Sequence, residues 1–169
     1  LGLCYGMQLA VVGFARHVLG HKDAHTTEVN PKTKHPVIHI IPEQQRKMQL
    51  RAYGGTMRLG GWDCKFKKNT RVYDIYEKAG ILKDPEKGIA SERHRHRYEF
   101  NDEYTDACEQ AGLIFSARSV KEGLAEYIEL PEKVHPFFVG TQGHPEYKSR
   151  PLHPHPLFLA YFEAMRKKA

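Results

Sequence analysis

The spacing of apolar and polar positions shifts between two periods along the chain, and the shifts mark the expected elements. Leu1–Leu3 is a short apolar run that reads as the end of a buried strand, and Cys4–Gly6 reads as a tight turn. Met7–Leu19 then follows a helical period, with Leu9, Val12 and Val18 partly lining one side. Residues 20–36, rich in His, Lys, Thr and Pro, form a long connection, and Val37–Ile41 is a short apolar strand bounded by Pro36 and Pro42. The middle third is the least regular part: a glycine-punctuated stretch, Gly54–Gly61, a basic segment, Lys65–Arg71, and a short helix around Asp74–Ala79. Asn101 or Asp102 can cap a helix running to Gln110 with Gly112 as its stop, and Leu113–Ala117 reads as a strand. Leu124–Leu130 is another strand, whose acidic residues suggest one exposed face, and Phe137–Gln142 a third, apolar and central. A final helix begins near Pro156 and spaces Phe158, Tyr161, Phe162 and Met165 as a stripe expected to pack in the core. Arg166, Lys167 and Lys168 suit its negative end.

The chain of 169 residues is long enough for one domain with a sizeable core, and nothing in it marks a linker between two. Hydrophobic residues at 40% and charged residues at 27% place it among folded, water-soluble chains rather than disordered ones. The net charge of +6 favours anionic ligands or simple solubility. Cys4, Cys64 and Cys108 have neither metal-ligand spacing nor an even count, so a reducing, cytoplasmic setting is expected, with no disulfide framework and no metal. The apolar opening run lacks a basic leader and is too short to cross a bilayer, so no membrane partner is expected.

Chemistry enters at two places. Gly2-Leu3-Cys4-Tyr5-Gly6 has the spacing of a nucleophile elbow, in which glycines flank a nucleophile held on a sharp turn between strand and helix. Side chains at the flanking positions are expected to collide there, and the positive end of the following helix is expected to lower the Cys4 thiol from about 8.5, leaving it partly a thiolate at neutral pH. Near the other end, Gln142-Gly143-His144-Pro145-Glu146 follows an apolar strand. A cysteine nucleophile needs an imidazole to take its proton and a carboxylate to hold that imidazole's tautomer, and His144 and Glu146 can fill those roles.

Leu1-Gly2-Leu3-Cys4-Tyr5-Gly6-Met7-Gln8 together with His144-Pro145-Glu146 resembles the class I, triad-type glutamine amidotransferases. Gly54-Gly55-Thr56-Met57-Arg58-Leu59-Gly60, Glu92-Arg93-His94-Arg95-His96-Arg97-Tyr98-Glu99 and Pro154-His155-Pro156-Leu157-Phe158 are similar to stretches of the CTP synthase branch of that family. The resemblance implies an α/β three-layer sandwich with the upstream part of the domain outside this chain, so that residues 1–169 are its carboxy-terminal part, starting at the elbow. It implies hydrolysis of L-glutamine by Cys4, His144 and Glu146, with ammonia passed to a synthetase domain of the same polypeptide that uses ATP and Mg to aminate UTP to CTP. No cofactor is implied in this domain itself.

The resemblance further implies that Tyr5, Gly6, Met7, Gln8, Glu28 and Arg97 contact glutamine. Glu28 could pair the α-ammonium, Arg97 the α-carboxylate with its planar fork, and Gln8, one helical turn after Cys4, could face the same pocket. The backbone N–H of Tyr5 would serve as an oxyanion donor. Arg58 belongs to a segment that in the family forms a lid coupled to GTP activation. The full-length enzyme is expected to be a homo-oligomer assembled through its synthetase domain. Two departures stand out: Tyr5 replaces a usual Leu and could narrow the pocket, and Gly143 replaces an aromatic and could loosen the loop presenting His144.

Three other readings compete. Another triad amidotransferase or a γ-glutamyl hydrolase would share the elbow but not the Arg/His-rich motif. A basic nucleotide- or RNA-binding module would use Arg93, Arg95, Arg97 and Lys65–Arg71, yet few stacking aromatics interleave with them, and no nucleic-acid partner is expected. A metal site of His94, His96, His153 and His155 would set a cation beside arginines.

Overall fold

The computed structural model describes residues 1–40 and 57–167. Its elements in chain order are β1 (Gly2–Leu3), α1 (Tyr5–His17), β2 (His25–Thr26), β3 (Pro36–Ile40), β4 (Arg58–Phe66), α2 (Arg71–Lys78), β5 (Ile89–His96) and β6 (Tyr98–Phe100). A 3-10 turn (Asp102–Tyr104) leads into α3 (Thr105–Gln110), followed by β7 (Ile114–Ser119), β8 (Ala125–Glu129), β9 (Val139–Thr141), a second 3-10 turn (Pro145–Tyr147) and α4 (Pro156–Arg166). Among the described residues, β1-β9-β8-β7-β4-β5 form a six-stranded sheet and β2-β3-β6 a three-stranded one.

Each face of the large sheet buries its own apolar cluster. On one side, Met7, Val11, Val12, Phe14 and Ala15 of α1 pack with Ile38, Phe100, Phe115 and Ile128. On the other, Val72, Tyr73 and Tyr76 of α2 and Leu157 of α4 pack with Phe66, Ala117, Tyr127 and Val139. Helix, sheet and helix thus form three layers, the architecture that the family resemblance implies. α1 comes so close to the sheet that a Cβ on Gly140 would lie 2.9 Å from Ile128 Cγ1 and 3.1 Å from Met7 Cβ.

Several expectations are corrected. Leu9 of α1 and Val18 just beyond its end are exposed, while Met7, Val11 and Val12 make the buried face. The middle third carries the most extensive pairing in the sheet, a long antiparallel match of β4 with β5 from Arg58↔His96 to Lys65↔Ile89. β8 has no exposed face: Glu126 and Glu129 are both buried. Glu129 is satisfied because its carboxylate accepts the backbone N–H groups of Arg71 and Val72 at the start of α2, where the helix dipole favours an anion. β9 is paired on both sides, parallel to β1 and antiparallel to β8, among the described residues. The α4 stripe is only partly core, since Phe162 and Met165 are exposed. His155 caps that helix by accepting the N–H of Leu157, and Pro156 takes its first position. Ile41, Gly54–Thr56 and Lys168 lie outside the described residues.

Candidate active site

The site follows from one strand pairing. β1 and β9 run parallel with Gly2 opposite Gly140 and Leu3 opposite Thr141, so the residues that leave the two strands emerge together at one end of the sheet. Those residues are Cys4 and Gln142. The Cys4 N–H donates to Thr141 O at 2.7 Å, and Gln142 Nε2 lies 3.4 Å from Cys4 Sγ.

Cys4 sits on a strained turn, with φ 47 and ψ −103, a conformation that costs a non-glycine residue about 1–3 kcal/mol. The strain tips the thiol out of the strand direction at the start of α1. Gly2 is required sterically, because a Cβ there would stand 2.8 Å from the Gly6 carbonyl. The expected collision does not extend to Gly6, where a Cβ would meet nothing within 4 Å.

His144 is held from three directions. Its N–H donates to Arg93 O of β5 at 2.8 Å, its ring stacks on Tyr147 at 4.9 Å and 13°, and its Nδ1 lies 2.5 Å from Glu146 Oε1. A carboxylate on Nδ1 keeps the ring proton there, so Nε2 presents a lone pair. Nε2 is buried and has no partner among the described residues. The loop carrying His144 is also anchored at Gly143, whose N–H donates to Thr141 Oγ1 at 3.0 Å and where a Cβ would stand 3.2 Å from Glu92 Cβ. The glycine expected to loosen this loop instead lets it approach β5.

The thiol differs from its expected state. Burial pushes Cys4 above the ordinary cysteine value; the Tyr5 N–H pulls it down, Glu146 raises it, the Gln142 amide lowers it and Glu28 raises it further. Desolvation and two carboxylates outweigh the positive helix end, so the resting group is a thiol. It has to give its proton to a base when substrate arrives.

A cavity of about 500 Å³ opens over this centre, lined by Cys4, Tyr5, Gln8, Glu28, Val29, Met57, Arg95, His96, Arg97 and Tyr98. Of the residues expected to contact glutamine, Tyr5, Gln8, Glu28 and Arg97 are there. Gly6 is not among the lining residues, and Met7 is buried in the α1 core cluster. The exposed Tyr5 ring stands at the wall. Val29, Met57, Arg95, His96, Tyr98 and Gln142 were not anticipated. The strict alternation of β5 could have revealed His96, since Glu92, His94 and His96 face inward while Arg93 and Arg95 face out.

Beneath the cavity runs a buried polar layer. Arg58 Nη1 donates to Glu126 Oε1 at 2.5 Å, and Glu126 Oε2 lies 2.5 Å from His94 Nε2. Arg58 also covers the Trp62 ring at 4.5 Å. Arg58, expected in a lid segment, is a buried residue at the start of β4, and Gly54–Thr56 of that segment lie outside the described residues. Burial, with the charges of His94 and Arg58, holds His96 down to about 3, and burial pushes Glu99 up to about 8. Cys64, His94 and Glu126 bring three possible metal ligands within 4.8 Å, but Arg58 already neutralises the carboxylate. His153 and His155 are elsewhere: His155 caps α4 and meets Glu92 at 3.1 Å.

A strained cysteine at a strand–helix elbow and a carboxylate-braced histidine, both carried by a three-layer α/β sheet, suit a triad-type amidotransferase, and the family profile "Glutamine amidotransferase class-I" matches residues 1–164. The chain belongs to the class I glutamine amidotransferases. Within them it is similar to CTP synthases: 48% identical over 167 residues to that of Flavobacterium psychrophilum and 52% over 164 residues to that of Sulfurisphaera tokodaii. These matches cover 99% and 97% of the chain but only 28% of each relative, so the chain spans little more than a quarter of their length. The solved glutaminase domain of Trypanosoma brucei CTPS with bound acivicin superposes with a TM-score of 0.83 at 34% identity, covering 98% of this chain and 59% of that one.

Proposed function

We propose that this chain is the glutaminase part of a CTP synthase, releasing ammonia from L-glutamine for the amination of UTP. The observation that carries the reading is a strained Cys4 lining a cavity with Glu28 and Arg97, close enough to Glu146 for that carboxylate to raise its thiol, while Glu146 braces His144 Nδ1 and leaves Nε2 without a partner among the described residues.

Glutamine enters with its α-carboxylate towards Arg97 and its α-ammonium towards Glu28, and neutralising Glu28 removes one of the charges that keep Cys4 protonated. His144 Nε2 takes the thiol proton as Sγ bonds to the side-chain carbonyl carbon. The Tyr5 N–H supports the oxyanion, and such a donor is worth about 100- to 1000-fold in rate. His144 returns the proton to the departing nitrogen as the C–N bond breaks, leaving a thioester and ammonia. Water, deprotonated by His144, then attacks; the C–S bond breaks and glutamate leaves. Glu146 holds the imidazolium at each stage.

In the full-length protein the ammonia meets UTP at a synthetase site that uses ATP and Mg, GTP stimulates the glutaminase, and assembly into a homo-oligomer runs through that other domain. Arg58 would transmit the GTP effect by anchoring β4 beneath the cavity rather than by touching the nucleotide. A cytoplasmic setting agrees with three free thiols. The Arg/His-rich motif belongs to the pocket, since Arg95, His96 and Arg97 all line it, rather than to a nucleic-acid surface.

The test is CTP formation by the intact protein with UTP, ATP and Mg. Cys4→Ala should lose glutamine-dependent synthesis and keep synthesis from added ammonium. Glutamine-dependent synthesis surviving in Cys4→Ala would refute the assignment, and glutamine hydrolysis without any amination of UTP would indicate a different amidotransferase.

A further inference from the structure

Gln142 lies outside the proposed triad, yet it is completely buried and its amide meets the nucleophile. Its role depends on which end of the amide faces the sulfur, and the surrounding bonds settle that. Gln8 Nε2 lies 2.7 Å from Tyr98 O, a backbone carbonyl that can only accept. That contact makes the Gln8 atom the nitrogen. Its second hydrogen points at Gln142 at 3.1 Å, so the facing Gln142 atom must be the oxygen. The Gln142 nitrogen is then left for Cys4 Sγ, at 3.4 Å. The whole run, from Tyr98 O through Gln8 and Gln142 to sulfur, is a directed chain of N–H donors.

We infer that Gln142 is a catalytic residue of the same reaction, donating a hydrogen bond to Cys4 Sγ that stabilises the thiolate, and that Gln8 is a positioning residue that orients the Gln142 amide. This rests on the glutaminase assignment of the site. A donor to sulfur is needed because the groups facing Cys4 mostly oppose its ionisation: burial, then Glu146 and Glu28. The Tyr5 N–H and the Gln142 amide act in the opposite sense. Arg95, His96 and Arg97 line the same cavity, with His96 uncharged at neutral pH, and His144 is the proton acceptor. A neutral amide lowers the cost of the thiolate without the tight ion pairing that would blunt a nucleophile. Sulfur carries negative charge twice in the cycle, as the thiol loses its proton to His144 and again as the thioester C–S bond breaks. One fixed donor serves both steps. The register of β1 against β9 delivers it, because Gln142 follows Thr141 as Cys4 follows Leu3.

The experiment is the pH dependence of iodoacetamide alkylation at Cys4 in the intact protein, read residue by residue by mass spectrometry, with and without L-glutamine. Gln142→Glu keeps the acceptor for Gln8 but replaces the donor to sulfur with an anion. It should slow alkylation at neutral pH at least about tenfold and move the inflection upward by about one unit or more. Gln8→Met frees the amide to turn and should shift the inflection in the same direction by less. Buried Cys64 and Cys108 report folding in the same sample, since they alkylate only if the protein opens. If Gln142→Glu does not fold, Gln8→Met decides. Inflections within experimental error of the parent in a folded variant, with glutamine still protecting Cys4, would overturn the inference. Failure of glutamine to protect Cys4 in the parent protein would instead overturn the glutaminase reading.

Discussion

Two sets of cysteine, histidine and glutamate among the described residues invite comparison, because they spend their histidine nitrogens differently. The ligand atoms of Cys64, His94 and Glu126 lie within 4.8 Å of one another in the buried layer, whereas Cys4 lines the cavity and His144 is braced by Glu146. The histidine-to-carboxylate contact is 2.5 Å in both. In the deep set that contact occupies His94 Nε2, and Nδ1 is taken by Glu92 O, so no ring nitrogen remains to receive a thiol proton. Burial then pushes Cys64 well above the cysteine range. At the elbow Glu146 takes Nδ1 and leaves Nε2 without a partner among the described residues, and Cys4 is only half-buried. Composition is shared between the two sets; which nitrogen is spent and whether the sulfur can be reached are not. Arg58 completes the contrast by committing Glu126 to an ion pair, turning the deep set into structural support.

Removing the nucleophile gives the largest expected difference between the two sets. Cys4→Ala should lower glutamine hydrolysis by on the order of 10⁴-fold or more, as removal of a triad nucleophile does elsewhere. Cys64→Ala should leave the rate within about twofold, since that thiol touches no substrate; a large loss would break the comparison. His144→Asn removes the free lone pair and should cost about 10²- to 10⁴-fold in kcat, whereas steady-state rates in His94→Asn should fall only as far as the folded fraction does.

The deep set should matter for stability instead. Arg58→Ala leaves Glu126 buried without its cation and should destabilise by about 3–5 kcal/mol, seen as a large drop in thermal midpoint. Glu99 sharpens this by pH. Its carboxyl stays protonated in the fold up to about 8, against 4.5 unfolded, so the folded state holds the extra proton between those values. Stability therefore falls as pH rises through that window. Glu99→Gln should raise the thermal midpoint more at pH 8.5 than at pH 5.5, and an equal shift at both would contradict a buried neutral carboxyl. His96 acts oppositely: held down to about 3, it must stay neutral in the fold, so it contributes stability that is lost on acidification below the usual histidine range.

The proposed triad was legible in the sequence as a pattern and the deep set was not. The elbow shows as glycines around a cysteine, and His144-Pro145-Glu146 shows as a base with its orienter directly after a strand. The deep set is spread over β4, β5 and β8, so no local spacing records it. It was further hidden because Glu126 and Glu129 look like surface residues until Arg58, His94 and the start of α2 are seen to satisfy them. β4 escaped notice because Gly60 and Gly61 break its alternation, although its pairing with β5 is long. The thiol state of Cys4 was misjudged because the sequence shows the helix end that favours a thiolate, while burial and the approach of Glu28 exist only in the fold.

The most direct test of the central claim is to treat the intact protein with 6-diazo-5-oxo-L-norleucine, an electrophile shaped like glutamine, and map the adduct by mass spectrometry. The account predicts labelling at Cys4, blocked by L-glutamine, with Cys64 and Cys108 unmodified. An adduct spread over Cys64 and Cys108, or no adduct in the folded protein, would contradict it.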